Sequence, residues 1–160
     1  MRKYAFQQWD KETMARAQIR DAPISAKQGI EVSRSIRHKT VPRSRDLLAR
    51  VIAGKTPVRI TRFNKGIGHK PGIGPGRFPK KAAGFFLELL GMAEANAQFK
   101  GLDASKLAVR HICVNKASRP FRFGRQRRRR AKRSHIEIVI GQDAGAELQQ
   151  EQAVKAEQKK

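Results

Sequence analysis

Acidic residues are scarce in this 160-residue chain: 13 Asp and Glu stand against 36 Lys and Arg, a formal charge of +23 at pH 7. That imbalance excludes an ordinary soluble enzyme. It steers the chain toward nucleic acid and makes binding fall with salt, because each neutralised phosphate releases condensed counterions. Cysteine is also nearly absent. Cys113 stands alone, so no intramolecular disulfide is possible. Arg2 and Lys3 precede no apolar stretch of signal-peptide type, and together these features point to a reducing, intracellular compartment. No run approaches the ~18 consecutive apolar residues of a membrane helix. The sequence thus reads as a soluble, cytoplasmic protein with no membrane partner.

Catalytic patterns are missing too. His38, His69, His111 and His135 show no metal-ligand spacing with Cys113 or with acidic neighbours, and no Ser or Cys has an identifiable base. No catalytic residue, metal, cofactor or small-molecule substrate is therefore expected, and Cys113 reads as a small buried hydrophobe.

What is present is a concentration of arginine. Arg119 to Arg133 read RPFRFGRQRRRRAKR, nine of them Lys or Arg. They lie between two segments of β-strand pattern, LAVRHICV (Leu107 to Val114) and HIEIVI (His135 to Ile140). This predicts a basic finger on a folded base, held out by two antiparallel strands, its charges repelling one another until a dense anion neutralises them. Arginine suits RNA, because guanidinium bonds two phosphate oxygens or lies flat on a base. Arg119, Arg122, Arg125, Arg127, Arg128, Arg129, Arg130, Lys132 and Arg133 are the candidate contacts, with Phe121 and Phe123 as base-stacking groups. A nuclear-import signal is the competing reading of RQRRRRAKR, although such signals favour flexible tails.

Residues 1–14 read as an extended arm whose Tyr4, Phe6 and Trp9 pack on the domain or stack on bases. Met14 to Arg20 alternates weakly, as a short strand does. Ser25 and Gln28 match a capping box, and Ile30, Ser33 and Ile36 continue at helical spacing, predicting a helix from Ala26 to His38. A second helix begins near Thr40 or Ser44, buries Leu47, Leu48, Val51 and Ile52, and ends at Gly54. The longest helix, Pro79 to Lys100, carries an apolar stripe of Ala82, Phe86, Leu89, Ala93 and Ala97, widened by Phe85, Leu90 and Met92. Residues 141–160 are rich in Ala, Gln and Glu and read as a mobile C-terminal tail.

Between the second and third helices, residues 55–80 form a Gly- and Pro-rich basic stretch too long for a simple connector. Glycine lets backbone approach phosphates closely. Arg62, Lys65, His69, Lys70, Arg77, Lys80 and Lys81 supply charge, which marks a second RNA-facing surface. GIGPGR (Gly72 to Arg77) lacks the Gly-Lys-Ser/Thr ending of a nucleotide-binding loop.

Three segments carry a family resemblance: ARAQIRDAPISAKQGIEVSRSIR (Ala15 to Arg37), HKPGIGPGRFPKKAAGFFLELLGMAEANAQFKGLDASKL (His69 to Leu107) and SHIEIVI (Ser134 to Ile140). On these the chain resembles the universal large-subunit ribosomal protein L twenty-two family, in its archaeal and eukaryotic branch, over about Ala15 to Ile140. The resemblance implies an α+β fold in which three helices pack on a small three-stranded antiparallel sheet with a long basic β-hairpin extension, within a domain of residues 15–140 whose hairpin spans 107–140. It also implies a structural constituent of the large ribosomal subunit that binds ribosomal RNA, supports assembly, lies beside neighbouring ribosomal proteins and reaches the polypeptide exit tunnel. The hairpin tip would touch the nascent chain.

One departure stands out. The family's hairpin usually bears a Pro-Arg-Ala-x-Gly-Arg element at its tip. Here Phe121, Arg122, Phe123, Gly124 and Arg125 occupy that place, and only the final Gly-Arg fits. The finger is also about five residues shorter, which at ~3.3 Å per residue retracts the tip by up to roughly 15 Å. From a different class, a nucleic-acid compaction or DNA-binding protein is the alternative. No helix concentrates Arg and Lys on one face as a major-groove reader does, which lowers that reading.

Overall fold

A computed structural model describes residues 4–62 and 64–142. The expected tail therefore lies, beyond Gln142, outside the described residues. The order of elements is β1 (Met14–Ala22), α1 (Ala26–Ile36), α2 (Val41–Ile52), β2 (Val58–Arg59), β3 (His69–Lys70), β4 (Gly74–Arg77), α3 (Lys80–Phe99), β5 (Leu107–Lys116) and β6 (Ser134–Gln142). The fold is α+β, with three helices and two antiparallel three-stranded sheets.

In the larger sheet β6 is central, with β1 on one side and β5 on the other. Its core face pairs Ala15 with Ile140, Ala17 with Ile138 and Ile19 with Ile136, while β5 brings Val109, Ile112 and Val114 against the same three isoleucines. The sequence of β5 divides poorly into two faces because the ladder bulges between Val109 and His111. The extra residue shifts the alternation by one, so Val109 and Ile112 both reach the core although three positions apart. Alanine on β1 leaves room for α3, whose Phe86, Leu89, Leu90, Ala93 and Ala97 are fully buried.

Several local expectations shift. Ser25 occupies the N-cap of α1 but its side chain makes no capping hydrogen bond, so no capping box forms. That helix stops at Ile36, and His38 turns into the left-handed region at φ 58° with its N–H donating to the Val109 carbonyl. Ile52 and Met92, expected in apolar stripes, are 37% and 42% exposed. The 55–80 segment is not all loop: β2 and β3 flank β4 in a small sheet. Strands of two to four residues built on Gly and Pro have no readable periodicity.

The arm packs rather than projects. The Ala5 N–H donates to Glu137 Oε1 at 3.0 Å, and the Phe6 ring lies 5.1 Å from that of His111. The guanidinium of Arg16 sits over both Tyr4 and Trp9. These contacts cover the sheet face away from the helices, which explains why Glu137 and Val139 are buried along with Ile136, Ile138 and Ile140.

Candidate nucleic-acid interface

The finger leaves the sheet where regular pairing ends, at Lys116 opposite Ser134. Beyond that pair the two arms stay together loosely. Ala117 N–H donates to the Arg133 carbonyl, Ala131 to Pro120 and Arg122 to Arg129, with an isolated bridge between Phe121 and Arg130. Residues 124–126 make one 3-10 turn entered through Gly124 at φ 71°. The expected hairpin over 107–140 is thus a regular ladder at its base and an irregular one toward its tip. Pro120 lacks an N–H, and crowded like charges oppose closer pairing.

The two basic surfaces expected from sequence converge. Arg62, Arg77 and Lys81 from the glycine-rich side and Arg122, Arg130 and Lys132 from the finger line one open groove of about 570 Å³. Lys27 joins them, and no acidic side chain lines the groove among the described residues. A neighbouring depression continues along the finger's root through Lys27, Lys116, Arg119, Lys132 and Arg133.

Helix termini add to this charge. Ser25, Lys27 and Gln28 bring the start of α1 to the groove, and Lys81 and Ala82 bring the start of α3. The N-terminal turn of a helix carries partial positive charge from unpaired N–H groups and favours acidic side chains. Neither helix has one there; α1 carries Lys27 and α3 carries Lys80 and Lys81. Cations set against two helix dipoles are unfavourable in the free protein and become favourable once an anion arrives. Lys27 and Lys116 were not among the residues read as RNA-facing from sequence, and a lysine in the first turn of a helix is the signal that marks Lys27.

Other expected residues lie apart from the groove. Lys70 Nζ sits 5.7 Å from the centre of the Phe78 ring, and Lys80 lies against Gly54 at the end of α2. Lys65 and His69 are exposed in and beside the small sheet. At the tip, Phe121 is 60% exposed beneath the Arg130 guanidinium, which lies 4.4 Å from the ring centre, and Phe123 is 97% exposed. Arg125, Arg127, Arg128 and Arg129 are exposed around them.

The groove is braced from α1. Glu31, buried at 3% exposure, accepts the Arg62 N–H at 2.8 Å and the Thr61 hydroxyl at 3.0 Å, and Arg34 donates to the same Thr61 oxygen. This carboxylate pins the chain at the point where Arg62 enters the groove.

The structure also gathers residues whose spacing in sequence indicated nothing. His111, Cys113 and Glu137 lie together on the outer face of the larger sheet. Cys113 is half-buried there, not within the core, because the bulge in β5 turns its side outward. Burial lowers the pKa of His111 and raises that of the Cys113 thiol.

The fold is a small α+β base that carries a groove and a finger lined by cations, with no acidic side chain lining the groove among the described residues. The chain belongs to the ribosomal protein L22p/L17e family, whose model matches residues 17–141. It is 39% identical over 140 residues to large ribosomal subunit protein uL22 of Ignicoccus hospitalis, covering 81% of this chain and 88% of that protein. The uL22 proteins of Hyperthermus butylicus and Cenarchaeum symbiosum are 37% and 36% identical over 84% and 85% of this chain, covering 93% and 94% of their own lengths. Among the described residues no helix is long and apolar enough to cross a membrane.

Proposed function

We propose that this chain is a structural constituent of the large ribosomal subunit that binds ribosomal RNA and supports subunit assembly. The observation that carries the reading is the groove: two basic segments about fifty residues apart in sequence meet beside two helix N-termini that carry lysine where acids are favoured. Such a surface ties RNA segments together by neutralising phosphates and matching shape, not by a base code. The finger then runs on through RNA as an arginine-coated rod, with Phe121 and Phe123 offered to bases at its tip. In the exit tunnel that tip would stand short of the usual depth, with Arg127 to Arg130 holding RNA along the return arm. Nascent chain would then meet it less closely.

Sedimentation of the tagged protein from its native lysate, on a sucrose gradient at low magnesium that separates the subunits, tests the reading. Co-migration with the large subunit through a moderate salt wash is expected. Protein that stays at the top, or follows DNA after RNase treatment, overturns it in favour of nucleic-acid compaction.

A further inference from the structure

The outer face of the larger sheet holds a second constellation, none of whose members lines the groove. His111 and Cys113 are two apart on β5 and share that face, and Glu137 on β6 is the direct cross-strand partner of Cys113. Side chains so placed are neighbours by register alone. One donor atom from each lies within 4.8 Å of the other two. A single cation can therefore be reached by all three after small side-chain adjustments.

The surroundings single this cluster out from an ordinary surface group. Glu137 is only 4% exposed, and its Oε1 is already oriented by the Ala5 N–H. The Phe6 ring lies against His111, whose Nε2 is sealed from solvent with no hydrogen-bond partner among the described residues. A buried polar atom without a partner calls for an explanation, and an unplaced ion is one of the standard ones. Arg37, donating to the Ile112 carbonyl at 3.2 Å, is a cation whose charge acts on His111 and would oppose a metal. A thiolate and a carboxylate together outweigh it.

Imidazole, thiolate and carboxylate form a borderline-soft donor set that suits tetrahedral zinc and not magnesium or calcium, which take oxygen alone. We propose that His111, Cys113 and Glu137 form a zinc site that staples β5 to β6 at the root of the finger. Asn115, whose Oδ1 accepts from the Cys113 thiol at 3.6 Å, or a water would fill the fourth position. Binding exchanges the Cys113 S–H bond for an S–Zn bond and passes one proton to solvent for each metal bound. The staple sits below the last regular pair, Lys116 with Ser134, and so fixes the angle at which the finger leaves the domain.

The test uses the full chain, freed of RNA and metal, titrated with Co²⁺ and then with Zn²⁺. One equivalent of Co²⁺ should produce a thiolate-to-metal charge-transfer band together with the visible bands of tetrahedral cobalt, and one equivalent of Zn²⁺ should abolish both. Because Cys113 is the chain's single cysteine, the charge-transfer band reports this site alone. Cys113→Ser should remove it, and Glu137→Gln should weaken Zn²⁺ binding by about tenfold or more. A saturated wild-type protein without the band overturns the proposal whether or not a variant folds. So does a stoichiometry of two chains per metal, or a Zn²⁺ affinity that Cys113→Ser leaves unchanged.

Discussion

At the scale of single residues, Glu31 shows how a buried carboxylate serves a basic surface. Its two oxygens serve Arg62 and Thr61, so its loss frees the segment after β2 that delivers Arg62 to the groove. Glu31→Ala should cost about 1–2 kcal/mol in urea denaturation of the isolated protein, and RNA affinity should fall further than one missing charge explains. Retained affinity would show that the segment is held by the groove's other walls. Nothing in the local sequence marks Glu31, since an acid in an amphipathic helix reads as a solvent-facing charge. Its partner lies thirty residues on, in a stretch without periodicity. Lys27 escaped the sequence reading, and the unfavourable placement of a cation in a first helical turn is the one sign that could have marked it.

At the scale of elements, the helical glycines divide by what surrounds them. A Cβ added at Gly29 on α1 would stand 2.9 Å from Val114 Cγ1, whereas at Gly84 and Gly91 on α3 it would meet nothing within 4 Å. Valine is stiff at χ1 and cannot swing away cheaply. Gly29→Ala should therefore destabilise by about 1–3 kcal/mol despite alanine's higher helix propensity. Gly84→Ala and Gly91→Ala should each stabilise the isolated chain by up to ~1 kcal/mol. Thermal unfolding of the three variants checks the contrast. The helices themselves were legible because α3 keeps a three- and four-residue apolar recurrence and β6 alternates cleanly. The small sheet was not, since β2 and β3 are two residues each. The outward turn of His111 and Cys113 was hidden for another reason: a bulge resets alternation without leaving a mark in residue type.

At the scale of the whole molecule, charge decides behaviour. Groove and finger carry positive charge; the ion pairs seen among the described residues lie elsewhere, Arg45 of α2 with Glu94 of α3 and Arg50 with Asp46 within α2. Replacing Arg127 to Arg130 with alanine should lower the magnitude of the log–log salt slope of RNA binding by roughly 3, since each lost phosphate contact removes about 0.7–0.9. The far-ultraviolet circular dichroism should stay unchanged, because all four residues lie beyond the last ladder pair. An unaltered slope would tell against their role on phosphates. The basic finger was the most legible feature of the chain, because charge density needs no partner to be read. Its union with the glycine-rich segment was not, because that depends on how α1 and α3 bring their first turns together.

The bulge in β5 has a bearing on where the chain tolerates a change of length. Within the ladder, gain or loss of a single residue would exchange the two faces, driving His111 and Cys113 into the core and Ile112 out of it. Outboard of Lys116 and Ser134 no such parity exists, so residues there can come and go while the base stays intact. A change of length is thereby absorbed by the finger, where it alters reach and leaves both faces of the sheet as they are.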